Sequence, residues 1–337
     1  MTARGMRASR RGLGSGLALL VIWATAMATA MAETAPLPVA PKLAEAGEAL
    51  ITNQTGDSLS VVRLSDFRVV AELAIDGKPA GIALSPNRRT AYVTSPDGKV
   101  VTIVDAVSRR LMGRFSSGNG PLGIAVNPVS GRVYVADWYQ HKIMAHEPVT
   151  GLLVGEKSVG KSPSGLAVTP DGKHLLSADR DSNQVTILDA DTLDLIGTVA
   201  VGERPFGVTV SADGRRAYSA NVGSNDVSVI DVPARSRIGT VPVGRRPYAV
   251  AIAQGRAFVS DQYDATVTVF DVATLAVVKV IPVGDYPEGI AADTAGRNIY
   301  VACWSANTLE RIDTATLEVT GKVAVGDGPR AFGDFIR

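Results

Sequence analysis

Residues Pro205–Gly244 read PFGVTVSADGRRAYSANVGSNDVSVIDVPARSRIGTVPVG, and this stretch decides the fold. An apolar run follows the proline and ends in a Ser-Ala-Asp-Gly turn. A second run covers 216–221, a third alternates over 226–231, and a fourth closes on Val243-Gly244. Short β-branched runs bounded by Gly, Asp and Asn are strands joined by tight turns. Equivalent prolines stand at Pro79, Pro121, Pro163, Pro205, Pro247, Pro287 and Pro329, spaced by 42 residues except for one interval of 40. A fixed period of this size means a stacked or circular repeat.

The other copies repeat the grammar. First strands read GIAL, GIAV, GLAV, GVTV, AVAI and GIAA, and second strands read TAYVT, RVYVA, HLLSA, RAYSA, RAFVS and NIYVA. Four antiparallel strands per period form one blade of a β-propeller, and blades cover one another's faces around an axis. Six complete units run from Pro79 to Gly328. The chain before Pro79 begins at a second strand, with Leu50 in the register of Tyr92, Tyr134 and Tyr218, and the chain after Pro329 supplies only a first strand. The expected fold is therefore all-β: a seven-bladed propeller over residues 49–337, closed by the C-terminal strand joining the three N-terminal ones.

Ala91-Tyr92-Val93-Thr94, Val133-Tyr134-Val135-Ala136-Asp137, Ala217-Tyr218-Ser219-Ala220-Asn221 and Ile299-Tyr300-Val301-Ala302 resemble the YVTN family of β-propeller repeats. Ser224–Asp231 and Val241-Pro242-Val243-Gly244 extend the resemblance, which covers residues 49–337. It implies exported proteins of the YncE-like and surface-layer type, most without an established activity. Similar seven-bladed folds include the large subunit of amine dehydrogenases, lactonases and a streptogramin lyase.

The N-terminus carries its own signals. Arg4, Arg7, Arg10 and Arg11 precede an apolar run, Leu13–Ala32, that ends in Ala30-Met31-Ala32. This reads as a secretory signal peptide over residues 1–32, and a Sec signal is favoured over the partial twin-arginine motif at Arg10-Arg11. Residues 33–48 read as a Pro- and Ala-rich tail. The expected location is periplasmic or secreted, with no membrane span after cleavage. Loss of four arginines turns the formal charge of +1 into −3, which argues against nucleic acid as a partner. One cysteine, Cys303, permits no intrachain disulfide.

Strand alternation places the loops between second and third strands, and the connections between blades, on one face. That face is expected to hold the mouth of the central channel. The residues after the opening prolines should ring it: Ala80, Leu122, Ser164, Phe206, Tyr248, Glu288 and Arg330. Small residues follow them, suited to converging inner strands. The ends of the second strands give another ring: Asn53, Ser95, Asp137, Asp179, Asn221, Asp261 and Cys303. Neighbouring loops add Trp138, Tyr139, His141, Arg180, Arg204, Arg245, Arg246, Tyr263, Tyr286 and Trp304. This mixture of acids, arginines and aromatics suits a recognition surface. By contrast, Asp105, Glu147, Asp189, Asp231, Asp271 and Asp313 all lie 16 residues before the next proline, which reads as a repeated turn contact on the opposite face.

Catalytic signatures are sparse. His141, His146 and His174 lack ligand spacing for a metal. There is no C-x-x-C-H haem attachment, no dinucleotide fingerprint and no nucleophile elbow. Cys303 reads as a buried, inert thiol, and Glu288 with Arg330 as a solvated ion pair closing the ring. The sequence therefore reads as a monomeric binding scaffold without metal or cofactor, recognising a periplasmic protein or small ligand on the channel-mouth face. The alternatives are a lactonase-like hydrolase or lyase using mouth residues, and an accessory subunit of a periplasmic redox complex.

Overall fold

The computed structural model describes residues 47–337, so the expected signal peptide over 1–32 and nearly all of the expected tail lie outside the described residues. The first strand, Glu48–Asn53, opens one residue before the expected start.

In blade 4 the strands are Pro205–Val210, Arg216–Asn221, Asp226–Asp231 and Ser236–Pro242, paired in that order and antiparallel. Blades 1 to 6 each carry such a four-stranded meander, spanning 81–116, 121–158, 163–200, 205–242, 247–282 and 287–324. The middle strands are buried at nearly every position, their apolar residues and short polar ones alike, because each is covered by a blade on either side. The fourth strand is the outer edge and is mostly exposed, with Val241 turned inward. A bulge recurs between third and fourth strands, as at Val229/Ile230, and adds to the blade's twist.

Blade 7 is built from both ends of the chain. Glu48–Asn53, Ser58–Arg63 and Arg68–Ala74 form its outer three strands. The segment 329–337 completes it: Leu50 N–H donates to Phe335 C=O (2.9 Å), Arg330 N–H to Thr52 C=O (2.7 Å), and Glu48 and Arg337 exchange two bonds. The same segment reaches the next blade, since Phe332-Gly333 pairs in parallel with Gly81–Leu84. The expected closure is thus present. A second crosslink comes from Glu48, whose buried carboxylate meets Arg109 at 2.5 Å and Arg337 at 3.0 Å.

The inner strands converge closely. A Cβ on Gly123 would collide with the Ser164 carbonyl oxygen, and one on Gly207 would lie 2.5 Å from that of Tyr248. Hydroxyls tie neighbouring blades at this radius: Thr52 Oγ1 donates to Ala80 C=O (2.8 Å), Thr94 Oγ1 to Leu122 C=O (2.7 Å) and Ser260 Oγ to Glu288 C=O (2.7 Å).

The regularly spaced acids are turn residues. Oδ1 of Asp105, Asp189, Asp271 and Asp313 each accepts two N–H groups from the turn that follows. Those donors hold all four carboxyls below their ordinary range.

Candidate functional site

The residues expected to ring an open mouth instead form a plug. Phe206 packs on Tyr248 with centroids 4.4 Å apart, and Phe332 closes the triangle at 5.1 and 5.4 Å. Leu122 and Trp138 pack against this cluster from blade 2. Rings from blades 2, 4, 5 and 7 thus meet across the axis and seal the channel on this face. Ala80 and Ser164 are also fully buried, and the Ser164 hydroxyl donates to the Phe206 carbonyl (3.0 Å).

The Glu288–Arg330 pair forms, but it is not solvated as expected. Its atoms stand 3.1 Å apart, and both side chains are largely buried by the plug. Arg330 also donates to the Tyr248 hydroxyl from Nε (2.7 Å) and Nη2 (2.5 Å), and its guanidinium lies over the Tyr248 ring. Gln262 Nε2 donates to Glu288 Oε1 (2.6 Å), while Gln262 Oε1 accepts from Arg246 Nε (2.5 Å). A continuous polar chain therefore runs from the axis, through Gln262, to the surface arginine. Burial pushes the Glu288 carboxyl up, opposed by the Arg330 charge, and burial likewise pushes the Tyr248 phenol up.

The second ring is an internal clamp. Each second-strand terminus faces positions five and seven residues later on the third strand. Asn53 Nδ2 donates to Ser58 Oγ (2.9 Å) and Ser60 Oγ (2.8 Å), and Asn221 Nδ2 donates to Asp226 Oδ1 (2.6 Å) and Ser228 Oγ (3.0 Å). With a carboxylate the donor direction reverses. Asp261 Oδ2 accepts from Thr266 (3.0 Å) and Thr268 (2.6 Å), and Asp179 Oδ2 from Gln184 (3.1 Å) and Thr186 (2.5 Å). Asp137 instead caps its own loop, accepting the N–H groups of Tyr139, Gln140 and Asn119 at 2.7–3.1 Å. Asp137, Asp179, Asp261 and Cys303 have no exposed surface, so they lie beneath the face expected to recognise a ligand, not on it. Burial raises the Asp179 and Asp261 carboxyls, the latter to about 6. Burial, reinforced by Glu310, pushes the Cys303 thiol to about 12, out of reach of ionisation.

His141 also has a local job. Its Nδ1 accepts the Ser162 N–H (3.0 Å), the bond that Asn183, Asn225 and Asn307 make to Arg204, Arg246 and Gly328 in later blades. These bonds lock each loop between second and third strands to the adjoining inter-blade connection. His146 is buried against Phe115, with Ser117 Oγ and Gly151 C=O each 3.0 Å from its ring nitrogens, and burial lowers its pKa.

What remains at the surface is a band of aromatics and arginines. Tyr263 and Tyr286, 50% and 43% exposed, meet edge to face at 5.7 Å, and Trp304 continues the row at 6.3 Å. Arg246 lies over Tyr263, and Arg245 is pinned to Asp264 (2.5 Å). In blades 2 and 3, Arg180 lies over Trp138, Tyr139 is 69% exposed, and Arg204 is exposed. Sequence reasoning passed over Phe332 and Gln262. Phe332 carries a signal, being the aromatic at a first-strand position that is aliphatic at Ile82, Ile124, Leu166, Val208, Val250 and Ile290.

The channel is open at its other end. A cavity of about 500 Å³ runs along the inner strands from Phe332 to a rim of Arg88, Pro128, Pro170 and Asp334, on the face of the first-to-second strand turns. Among the described residues, no three His, Cys, Asp or Glu side chains stand within metal-binding reach of one another.

Comparison with known proteins places this geometry. The fold is similar to Kuenenia stuttgartiensis hydrazine synthase (19% identity, TM-score 0.69), covering 76% of this chain and 89% of that one. It is similar to a functionally unknown protein from Desulfotomaculum acetoxidans (15%, TM-score 0.73; 85% and 99%). It is also similar to the dihydro-heme d1 dehydrogenase NirN in complex with DHE (16%, TM-score 0.64), covering 82% of this chain and 63% of that one. At these identities the likeness is one of fold. No curated protein sequence matches the chain. The family model described as "YNCE-like beta-propeller" matches residues 153–334, more than half the chain, and the protein belongs to that family.

Proposed function

We propose that this chain is an exported, non-catalytic binding scaffold that recognises a protein partner through the face of the second-to-third strand loops. The observation that carries the reading is the row Tyr263–Tyr286–Trp304, its two tyrosines exposed and its tryptophan half-buried, with Arg246 laid over its end. Aromatics and arginines dominate the energetic centres of protein interfaces, and they lose little conformational freedom when already held in place. Here the loops are tied to the inter-blade connections by backbone bonds, as from Trp304 N–H to Tyr286 C=O (2.8 Å). The sealed channel gives the partner a continuous surface in place of a hole.

The test compares cross-linked complexes recovered from the native host. The double variant Tyr263→Ala/Trp304→Ala should lose at least ten-fold of a species retained by wild type. The control Leu152→Ala/Leu195→Ala, on the outer rim, should keep it. Equal recovery with both variants would reject this face as the interface. A mature N-terminus at Glu33, read by mass spectrometry, would support export.

A further inference from the structure

We infer that the blind channel and the basic concavity beside its open end form one binding site for an amphipathic organic anion, on the face opposite the recognition surface. The channel supplies the less polar half, where aliphatic side chains share the wall with the backbone edges of the inner strands. Its walls are inner-strand segments such as Leu166–Val168, Val208–Val210 and Ile290–Ala292, its floor is Phe332, and its volume of about 500 Å³ suits a small molecule. Entry is from one end only, because the aromatic triangle seals the other.

The seam of the ring supplies the anion-binding half. Blade 7 has no turn between its first and second strands, because those strands come from opposite ends of the chain. Among the described residues, a concavity of about 710 Å³ stands where the other blades carry that turn, lined by Arg88, Arg89, Arg297 and Arg337. Arg88 lines both cavities and joins them.

The acids nearby are committed. Asp334 pairs with Arg88 (2.5 Å), Glu48 pairs with Arg109 and Arg337, and Asp293 accepts the Arg297 N–H and the Asn298 amide, each at 2.8 Å. Among the described residues, the guanidinium groups of Arg89 and Arg297 form no ion pair, and both residues are exposed. Among the described residues, only Nη1 of Arg88 is taken, by Asp334 and the Ile336 carbonyl, so a carboxylate or sulfonate on its Nε and Nη2, within the field of Arg89 and Arg297, leaves its apolar body pointing down the channel.

The test is calorimetric titration of the intact protein with straight-chain carboxylates from acetate to decanoate, the matching alcohols, and inorganic phosphate. Affinity for carboxylates should rise by about four-fold per added methylene until the channel is filled. The alcohols should bind at least ten-fold more weakly. Arg89→Ala/Arg297→Ala should weaken carboxylates at least five-fold and leave alcohols unchanged, and Ala292→Trp, which narrows the channel, should weaken both. If the tryptophan variant fails to fold, the arginine variant and the chain-length series still decide. Affinity independent of chain length, phosphate binding as tightly as decanoate, or no effect of the arginine variant would each overturn the inference.

Discussion

Asp261 offers a sharp test of the clamp. Its Oδ2 accepts two threonine hydroxyls, while Oδ1 is buried without a hydrogen-bond partner. Burial raises its pKa to about 6. An unfolded-state value near ~3.9 makes the shift about two units, or about 3 kcal/mol. Because the folded pKa is the higher one, the native state takes up the proton first as pH falls. The group's contribution is therefore most favourable below about pH 4, fades as pH rises through 6, and stands as a penalty at pH 8. Asp261→Asn removes the charge and reproduces the arrangement at Asn53, where the amide donates to both hydroxyl positions and its oxygen is likewise left unpartnered. Some gain is lost because Thr266 and Thr268 must turn their hydroxyls. The variant should be more stable than wild type by about 2 kcal/mol at pH 8, and the difference should shrink towards zero by pH 4. Urea unfolding at half-unit steps from pH 4 to 8 measures this. A variant less stable at pH 8, or a difference that does not change with pH, would refute the account of Asp261 as a buried carboxylate serving the blade.

Three further outcomes follow from the same structure. Glu288→Leu should cost about 3–5 kcal/mol by stranding the buried Arg330 guanidinium, while Glu288→Leu/Arg330→Met should cost clearly less, measured as a double-mutant cycle in denaturant. Deleting 329–337 removes the buried Phe335 and Ile336 and the bonds to Leu50 and Thr52, so cooperative melting should be lost; calorimetry showing a transition near the wild-type temperature would contradict closure. Cys303 should resist an aromatic disulfide reagent at pH 8 in the native protein and react within seconds once unfolded.

The architecture was legible because the proline period, the turn chemistry and the alternating strands all point to one answer. The complementary ends, with Leu50 in the Tyr218 register, even gave the closure. The site was less legible because burial is a tertiary property. The diversity of Asp137, Asp179, Asp261 and Cys303 suggested recognition, yet Asp179 and Asp261 match their own third strands, Asp261 facing threonines where Asn53 faces serines, and Asp137 caps its loop. His141 looked like a functional histidine and is the counterpart of Asn183. Nor does any sequence window show that Phe206, Tyr248 and Phe332, from three blades, meet on the axis. That contact depends on the radius of the ring.

The seam in blade 7 also sets the order of assembly. Its bonds span nearly all of the described residues, with Thr52 and Ala331 separated by 279 positions. Bringing such distant points together costs about 5 kcal/mol in chain entropy, recovered only once residues 329–337 dock. A chain halted short of Pro329 displays Glu48–Asn53 with its inner edge unpaired, an edge open to other strands and to proteases. Docking of 329–337 and completion of the ring are thus the same event, and a chain without that segment carries its own exposed mark for removal.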